Sequence, residues 1–207
     1  EREVPKFRGA IAGKVGSEPV LFHNHLPDGK LRHAYPLIQY KRLGKRPAIL
    51  CFADGVDQIH HYFSQTDWDV KLGQRHLSMR IDRLNLVNYS MKILEAPKPY
   101  HIKDWVALNQ EDYREFQQLN GIVSQIQFLE SRLWKSLSYF AKGVGFPQAE
   151  QAMEVIIDDL PFRRVVTLHG QKVSSFDVKF RANLSIPDYA GIGKGAVVGM
   201  GVVSRHA

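Results

Sequence analysis

Three histidines, His23, His25 and His33, fall within eleven residues of one another, beside Asn24 and Tyr35. An imidazole with an unperturbed pKa of about 6.5 gives and takes protons near neutral pH, so loop histidines on a rigid scaffold are candidates for general acid and general base. His23 and His25 stand at i and i+2, a spacing that in extended chain points both rings to one side. Two other readings stand beside this one. The histidines could be solvated and without a role, or His23 and His25 could ligate zinc, although no Cys, Asp or Glu lies at a familiar ligand spacing.

The second stretch with chemistry in it is Ile186 to Val203. Gly191, Gly193, Gly195, Gly199 and Gly201 leave the backbone bare over eleven residues, and Lys194 stands among them. Exposed N–H groups and one cation make a place for a phosphate. Lys194 is followed by Gly195 rather than Ser or Thr, and no helix opens there, so this is not a nucleotide-binding P-loop. The alternative is a bulged terminal strand packed closely on a neighbour.

Further cations cluster in the first half. Lys41, Arg42, Lys45 and Arg46 lie on a hairpin turn, and Arg75, Arg80 and Arg83 flank a later strand; they are solvated charges or they track phosphates. Tyr35, Tyr40 and Trp68 are core aromatics or platforms for bases. Lys plus Arg exceed Asp plus Glu by 28 to 21, a net charge of +7, which calls for a polyanionic partner. Nucleic acid and membrane headgroups both fit, but no basic amphipathic helix favours the membrane. No apolar run approaches the roughly 18 to 20 residues of a membrane span, and no secretion signal heads the chain, so a cytoplasmic protein is expected. Cys51, the single cysteine, sits in the apolar run Ile49-Leu50-Cys51-Phe52 and reads as core; His60 and His61 read as structural residues of a short helix, His60 on its apolar face.

The elements that must position these residues follow from periodicity. Val4 to Ala12 alternates as a strand, and 13–34 is a loop carrying the histidines. Residues 35–41 and 48–52 form a hairpin; Asp54 caps a helix over 55–63; Leu77, Met79 and Ile81 extend a strand towards Val87. Ala96-Pro97-Lys98-Pro99 reads as a linker. Beyond it come helices over 110–119 and 121–141, the second with Ile122, Ile126, Leu129, Leu133, Leu137 and Phe140 on one stripe. Strands over 153–157, 164–168, 173–184 and 195–203 finish the chain. The fold class is α+β, two tandem ferredoxin-like (RRM-like) halves over 1–95 and 105–207. The first has its first helix shortened or replaced by the loop, and the second carries the glycine-rich loop 190–201.

Several blocks then fall into one order: Phe7-Arg8-Gly9-Ala10-Ile11, Tyr35-Pro36-Leu37-Ile38-Gln39-Tyr40-Lys41, Trp105-Val106-Ala107-Leu108-Asn109 with Tyr113, Ala141-Lys142-Gly143, and Phe180, Asn183, Ile186-Pro187-Asp188-Tyr189 leading into the glycine-rich end. Over nearly the whole chain this resembles the CRISPR-associated endoribonucleases that process precursor guide RNA, within the RAMP superfamily and closest to its subtype I-B-like branch. The resemblance implies metal-independent cleavage of CRISPR repeat RNA, with no cofactor, in which a 2′-hydroxyl attacks the adjacent phosphate and leaves 2′,3′-cyclic phosphate and 5′-hydroxyl ends. It implies His23 and His25, with His33 third, as acid or base, Tyr35 as a hydroxyl partner and Lys41 as a charge stabiliser. The RNA backbone is then held by Gly191, Gly193, Lys194, Gly195, Gly199, Gly201, Arg42, Lys45 and Arg46. Partners implied are precursor CRISPR RNA and other subunits of a type I surveillance complex, with the chain a monomer or homodimer. A non-cleaving RNA-binding subunit of such a complex is the other function in view. Met200 stands where the family has an aromatic in Gly-Phe-Gly, a space methionine can fill. The chain starts almost on its first predicted strand, which points to a few residues missing ahead of Glu1.

Overall fold

The computed structural model describes residues 3–15, 34–64 and 67–205, with the His61 side chain left out. Two compact units divide these residues: Glu1–Tyr89 with Val197–Gly199, and Ser90–Ala196 with Met200–Ala207.

The first unit opens with a helix, α1 (Glu3–Val15), where alternation predicted a strand. The helical spacing is in the buried set, Val4, Ile11 and Val15, while the apparent alternation depended on Gly9, which has no side chain to bury. The hairpin forms as expected. β1 (Ile38–Leu43) pairs antiparallel with β2 (Arg46–Cys51), and Gly44 turns the chain with φ +62°. Next comes α2 (Asp54–Phe63), buried through Gly55, Ile59 and Tyr62. Asp54 is its first residue and not its cap; Ala53 holds that place without a side-chain bond, and His60 is exposed and off the buried face. Gly55 lets α2 lie against the strand entry, because a Cβ there would be 2.8 Å from the Leu37 carbonyl oxygen. β3 (Val70–Leu72) and β4 (Arg75–Leu77) make a second small hairpin, and the strand expected to run on towards Val87 stops at Leu77. The pattern misled because Leu84, Leu86 and Val87 are exposed and the chain there makes no ladder. α1 is tied to the β3 end by Lys14, whose Nζ is 2.9 Å from Asp67 and donates to the Asp69 carbonyl at 2.6 Å.

The second unit is a five-stranded antiparallel sheet with helices. β5 (Ile93–Trp105) lies between β8 (Gln171–Leu184) and β9 (Val202–Arg205); β6 (Val155–Ile157) and β7 (Phe162–Leu168) pair with opposite ends of β8. The expected linker Ala96–Pro99 is inside β5. Its prolines are tolerated because the ladder to β8 is irregular between Ile93 and Lys98, and the described pairing to β9 starts only at Tyr100. α3 (Gln110–Gln118) begins with a capping box: Asn109 Oδ1 accepts from the Asp112 amide at 2.7 Å and Asp112 Oδ2 accepts from the Asn109 amide at 3.1 Å. α4 (Ile122–Gly143) buries Leu129, Leu133, Leu137 and Phe140, four of the six residues on the predicted stripe. Tyr100 stacks on Phe180, and its hydroxyl donates to the Leu184 carbonyl at 3.0 Å, fixing β5 against β8.

Of the last strand predicted over 195–203, only Val202 and Val203 are strand, as the start of β9 (Val202–Arg205). The residues before it cannot extend, since Gly193, Gly195, Gly199 and Gly201 all take positive φ. A Cβ on Gly201 would sit 1.8 Å from the Ile192 carbonyl oxygen. Gly201→Ala is therefore expected to lower the melting temperature far more than Gly170→Ala, which shares the positive φ but has open space and carries only the left-handed strain of about 1–2 kcal/mol. Equal shifts in a thermal melt would mean the close approach at Gly201 does not constrain the fold.

Candidate functional site

In the first unit, Tyr35, Gln39 and Lys41 are carried on β1 and the residues leading into it, and all three are buried. The first four residues of β1 are buried on both faces of the strand, so a lysine there cannot reach water by alternation alone. The Tyr35 hydroxyl accepts from Gln39 Nε2 at 2.6 Å, and that same nitrogen donates to the Pro36 carbonyl at 3.1 Å. Burial lifts the Tyr35 phenol well above its ordinary pKa, against a smaller opposing effect of the Gln39 bond, so Tyr35 acts as a neutral hydroxyl. Gln39 belongs to the Tyr35–Lys41 block but had no role assigned to it there; its polar type inside an apolar strand was the further signal.

Lys41 is 2 % exposed, and its Nζ has no hydrogen-bond partner among the described residues. Burial brings its pKa down to about 7. In the same hairpin, desolvation also raises the Tyr40 phenol and pushes the Cys51 thiol up to about 12; Cys51 is half-buried where a core position was expected. The glycine-rich end reaches this strand. A Cβ on Gly199 would lie 3.4 Å from the Tyr40 carbonyl oxygen, 3.7 Å from Val4 Cγ1 and 3.8 Å from Lys41 Cα. The bare backbone at Gly199, which belongs to this unit, thus lies next to Lys41, whose ammonium is buried and without a hydrogen-bond partner among the described residues.

The neighbouring cations differ. Arg42, Lys45 and Arg46 are exposed at the hairpin turn. Arg42 is 3.6 Å from Glu3 and donates to the Gly44 carbonyl, and Arg46 pairs with Asp82. Such exposed pairs contribute about 0–1 kcal/mol each, which leaves both arginines able to exchange a carboxylate for a phosphate. His23, His25 and His33 lie outside the described residues.

In the second unit, close packing explains Gly193, Gly195 and Gly201 of the glycine-rich end. A Cβ on Gly193 would be 2.7 Å from the Trp105 indole nitrogen, and one on Gly195 would be 2.9 Å from Met200 Cγ. Met200 therefore fills space against Gly195. Gly191 is buried in a bridge to Val202. The amides of Ile192, Lys194, Met200 and Gly201 donate to the carbonyls of Gly201, Val106, Gly195 and Asp104. Those four amides hold the segment together and are not available to an anion. The Lys194 side chain is exposed, with Nζ 3.5 Å from the Leu108 carbonyl. Among the described residues, no group of three or more His, Cys, Asp or Glu is placed to hold a metal ion.

Lys41 makes stability depend on pH. Unfolded, it keeps its proton to about 10.5; folded, it loses it at about 7. The unfolded chain binds more protons between those values, so stability rises with pH across that window by up to about 1.4 kcal/mol per unit, and below it the burial cost is fully present. Lys41→Met should be the more stable protein near neutral pH and should lose this rise. Urea unfolding of both proteins at about pH 6, 8 and 10 measures it; a difference between them that stays constant would show that Lys41 is not buried in its charged form.

Residues 1–90 match the Cas6b N-terminal domain family and residues 92–206 the Cas6b C-terminal domain family. A crystal structure of Cas6b superposes with a TM-score of 0.82 at 22% identity, over 99% of this chain and 92% of that one. A second, titled a CRISPR RNA processing endoribonuclease Cas6b, does so at 0.68 and 20% identity, over 99% and 91%. Csf5, a type IV Cas6 crRNA endonuclease, gives 0.52 at 17% identity, over 84% and 68%. An uncharacterized protein of Methanocaldococcus jannaschii is 30% identical over 104 residues, 50% of this chain and 69% of its own length. The likeness in structure shows the shared fold, the tandem α+β arrangement expected from sequence. With both domain families matched end to end, the chain belongs to the Cas6b family.

Proposed function

We propose that this protein is an endoribonuclease that cleaves CRISPR repeat RNA within precursor transcripts. The observation that carries the reading is Lys41: a buried lysine on β1 without a hydrogen-bond partner among the described residues, with the backbone of Gly199 beside it, in a chain of the Cas6b family. A buried cation without a partner is costly unless an anion comes to it, and an RNA phosphate is the anion a basic chain of this family meets.

In the proposed reaction the 2′-oxygen forms a bond to phosphorus while the bond from phosphorus to the 5′-oxygen breaks. A base takes the 2′-hydroxyl proton and an acid gives one to the departing 5′-oxygen. His23 and His25, with His33 third, are the candidates for these transfers. Lys41, as its ammonium, stabilises the charge gathering on the phosphate oxygens, and Tyr35 with Gln39 offers a neutral hydroxyl nearby in sequence. Lys194, Arg42, Lys45 and Arg46 hold the RNA backbone. The contribution of Gly191, Gly193, Gly195 and Gly201 is to shape the loop that carries Lys194. The product passes to other subunits of a type I surveillance complex in the cytoplasm, the protein acting as a monomer or homodimer; no described helix is long and apolar enough to cross a membrane.

Repeat RNA incubated with the protein in a chelator should be cut once per repeat, and a 2′-deoxy sugar at the cut site should block it. The double variant His23→Ala, His25→Ala should lose about 10²- to 10⁴-fold in single-turnover rate while retaining binding. Binding without any cut by the unsubstituted protein would leave a non-cleaving RNA-binding subunit, and no preference for repeat over unrelated RNA would end both readings. Lys194→Ala should weaken binding and reduce the salt slope by about one phosphate contact.

A further inference from the structure

Phe162, the first residue of β7, is 65 % exposed although it belongs to a paired strand. Opposite it on β8 stands Asp177, which offers no apolar cover. On the same side of β7, two residues along, the Arg164 guanidinium carbon lies 5.4 Å from the Phe162 ring centroid. Arg164 is held there from two directions, by an ion pair with Asp177 and by Asp104 at 3.4 Å. A fixed planar cation therefore backs the ring, and much of the ring remains open. On the other side of the strand Arg163 lies 5.5 Å from the Tyr113 ring centroid and donates to the Tyr113 hydroxyl at 3.1 Å. No carboxylate pairs with Arg163 among the described residues.

We propose that the Phe162 ring is a stacking platform for an unpaired nucleobase of the bound RNA. This rests on the reading of the protein as an RNA-binding member of its family and adds a contact away from the cutting residues. The strand itself links the platform to the glycine-rich end. Leu168, on the same side of β7, has Cδ1 3.0 Å from where a Gly195 Cβ would be, and six strand residues span about 20 Å. Val166, between Phe162 and Leu168 on that side, is buried, so an RNA single strand whose phosphate is held by Lys194 passes over the covered middle of β7 and lays a base on Phe162 a few nucleotides away. Every base has a π-face, so the contact tolerates any sequence and adds affinity rather than readout.

Charge and shape favour a base over a protein side chain. The acids nearby are already matched, Asp177 and Asp104 by Arg164, Asp158 by Arg181 and Asp159 by Lys179, while Arg163 faces no carboxylate among the described residues. Val165 is also exposed but lies on the opposite side of β7, so it does not join Phe162 in one apolar patch.

The test uses the CRISPR repeat RNA of the chain's own genome with 2-aminopurine placed in turn at each unpaired position. One position should be quenched on binding the unsubstituted protein and recover in Phe162→Ala. That variant should bind about ten- to a hundredfold more weakly with an unchanged salt slope, and Phe162→Trp should restore both signals. Circular dichroism and a thermal melt confirm that the variants are folded. If the unsubstituted protein binds the repeat and Phe162→Ala matches it in affinity and quenching, the platform is wrong and the RNA reading survives. A change in sedimentation with unchanged RNA affinity would likewise overturn it and mark Phe162 as a protein contact. If the unsubstituted protein does not bind the repeat, both readings fall together.

Discussion

A first side-chain carbon at position 201 would stand 1.8 Å from the carbonyl oxygen of Ile192, and much of the C-terminal unit depends on that space being empty. Because it is empty, the Ile192 amide donates to the Gly201 carbonyl while the Gly201 amide donates to Asp104 at the end of β5. The loop closes on itself at the point where β9 starts, and β9 then pairs with β5 from Lys103 to Tyr100. Gly193 and Gly195 serve the same closure by admitting Trp105 and Met200. A glycine-rich sequence that would suit a loose anion cradle is here a tightly bonded turn, and its one exposed cation, Lys194, is presented from a rigid base. Rigidity helps binding, because a cation already held in place loses less freedom when a phosphate arrives.

Lys41 represents the opposite solution. Nothing polar among the described residues answers its ammonium, and burial alone is enough to bring its pKa to about 7. The fold accepts a destabilising group in a strand that is otherwise core, a trade made where a reactive group must be dry and aimed. A lysine with a pKa near the working pH also exchanges its proton readily, and a phosphate beside it would favour the charged form. On the proposed reading, stability and chemistry are coupled at one side chain: an anion that used Lys41 would also relieve it.

What could be seen from sequence depended on the range of the interaction. The β1–β2 hairpin was legible because a turn between two apolar runs is local, and α4 because its stripe repeats over 22 residues. α1 was misread since Gly9 was counted as an apolar position, and the linker at Ala96–Pro99 since prolines in a central strand are unusual unless the ladder is broken there. The loop expected over 13–34 drew attention through its histidines, but His23, His25 and His33 lie outside the described residues, and Gly13–Val15 belong to α1. Gln39 stood within the Tyr35–Lys41 block without a role of its own, because its bond to the Tyr35 hydroxyl is set by burial and not by residue type. The internal commitment of the glycine amides could not be read at all, as it joins Ile192 to Gly201 and Gly201 to Asp104 across some 97 positions of sequence.

The net charge of +7 is a poor guide to where a polyanion binds until the paired cations are set aside. In the second unit Arg132, Lys142, Arg164, Lys179 and Arg181 each face a carboxylate within the protein. They tie strand to strand or helix to strand, and an incoming phosphate would have to compete with a neighbour already in place. Lys194 and Arg163 have no such carboxylate among the described residues, and they lie near the two ends of β7, one by the loop that touches Leu168 and the other beside Phe162. Lys103, Arg114 and Lys172 of the same unit are exposed and likewise face no carboxylate among the described residues, so what sets Lys194 and Arg163 apart is their place near the two ends of the strand that carries the open Phe162 ring.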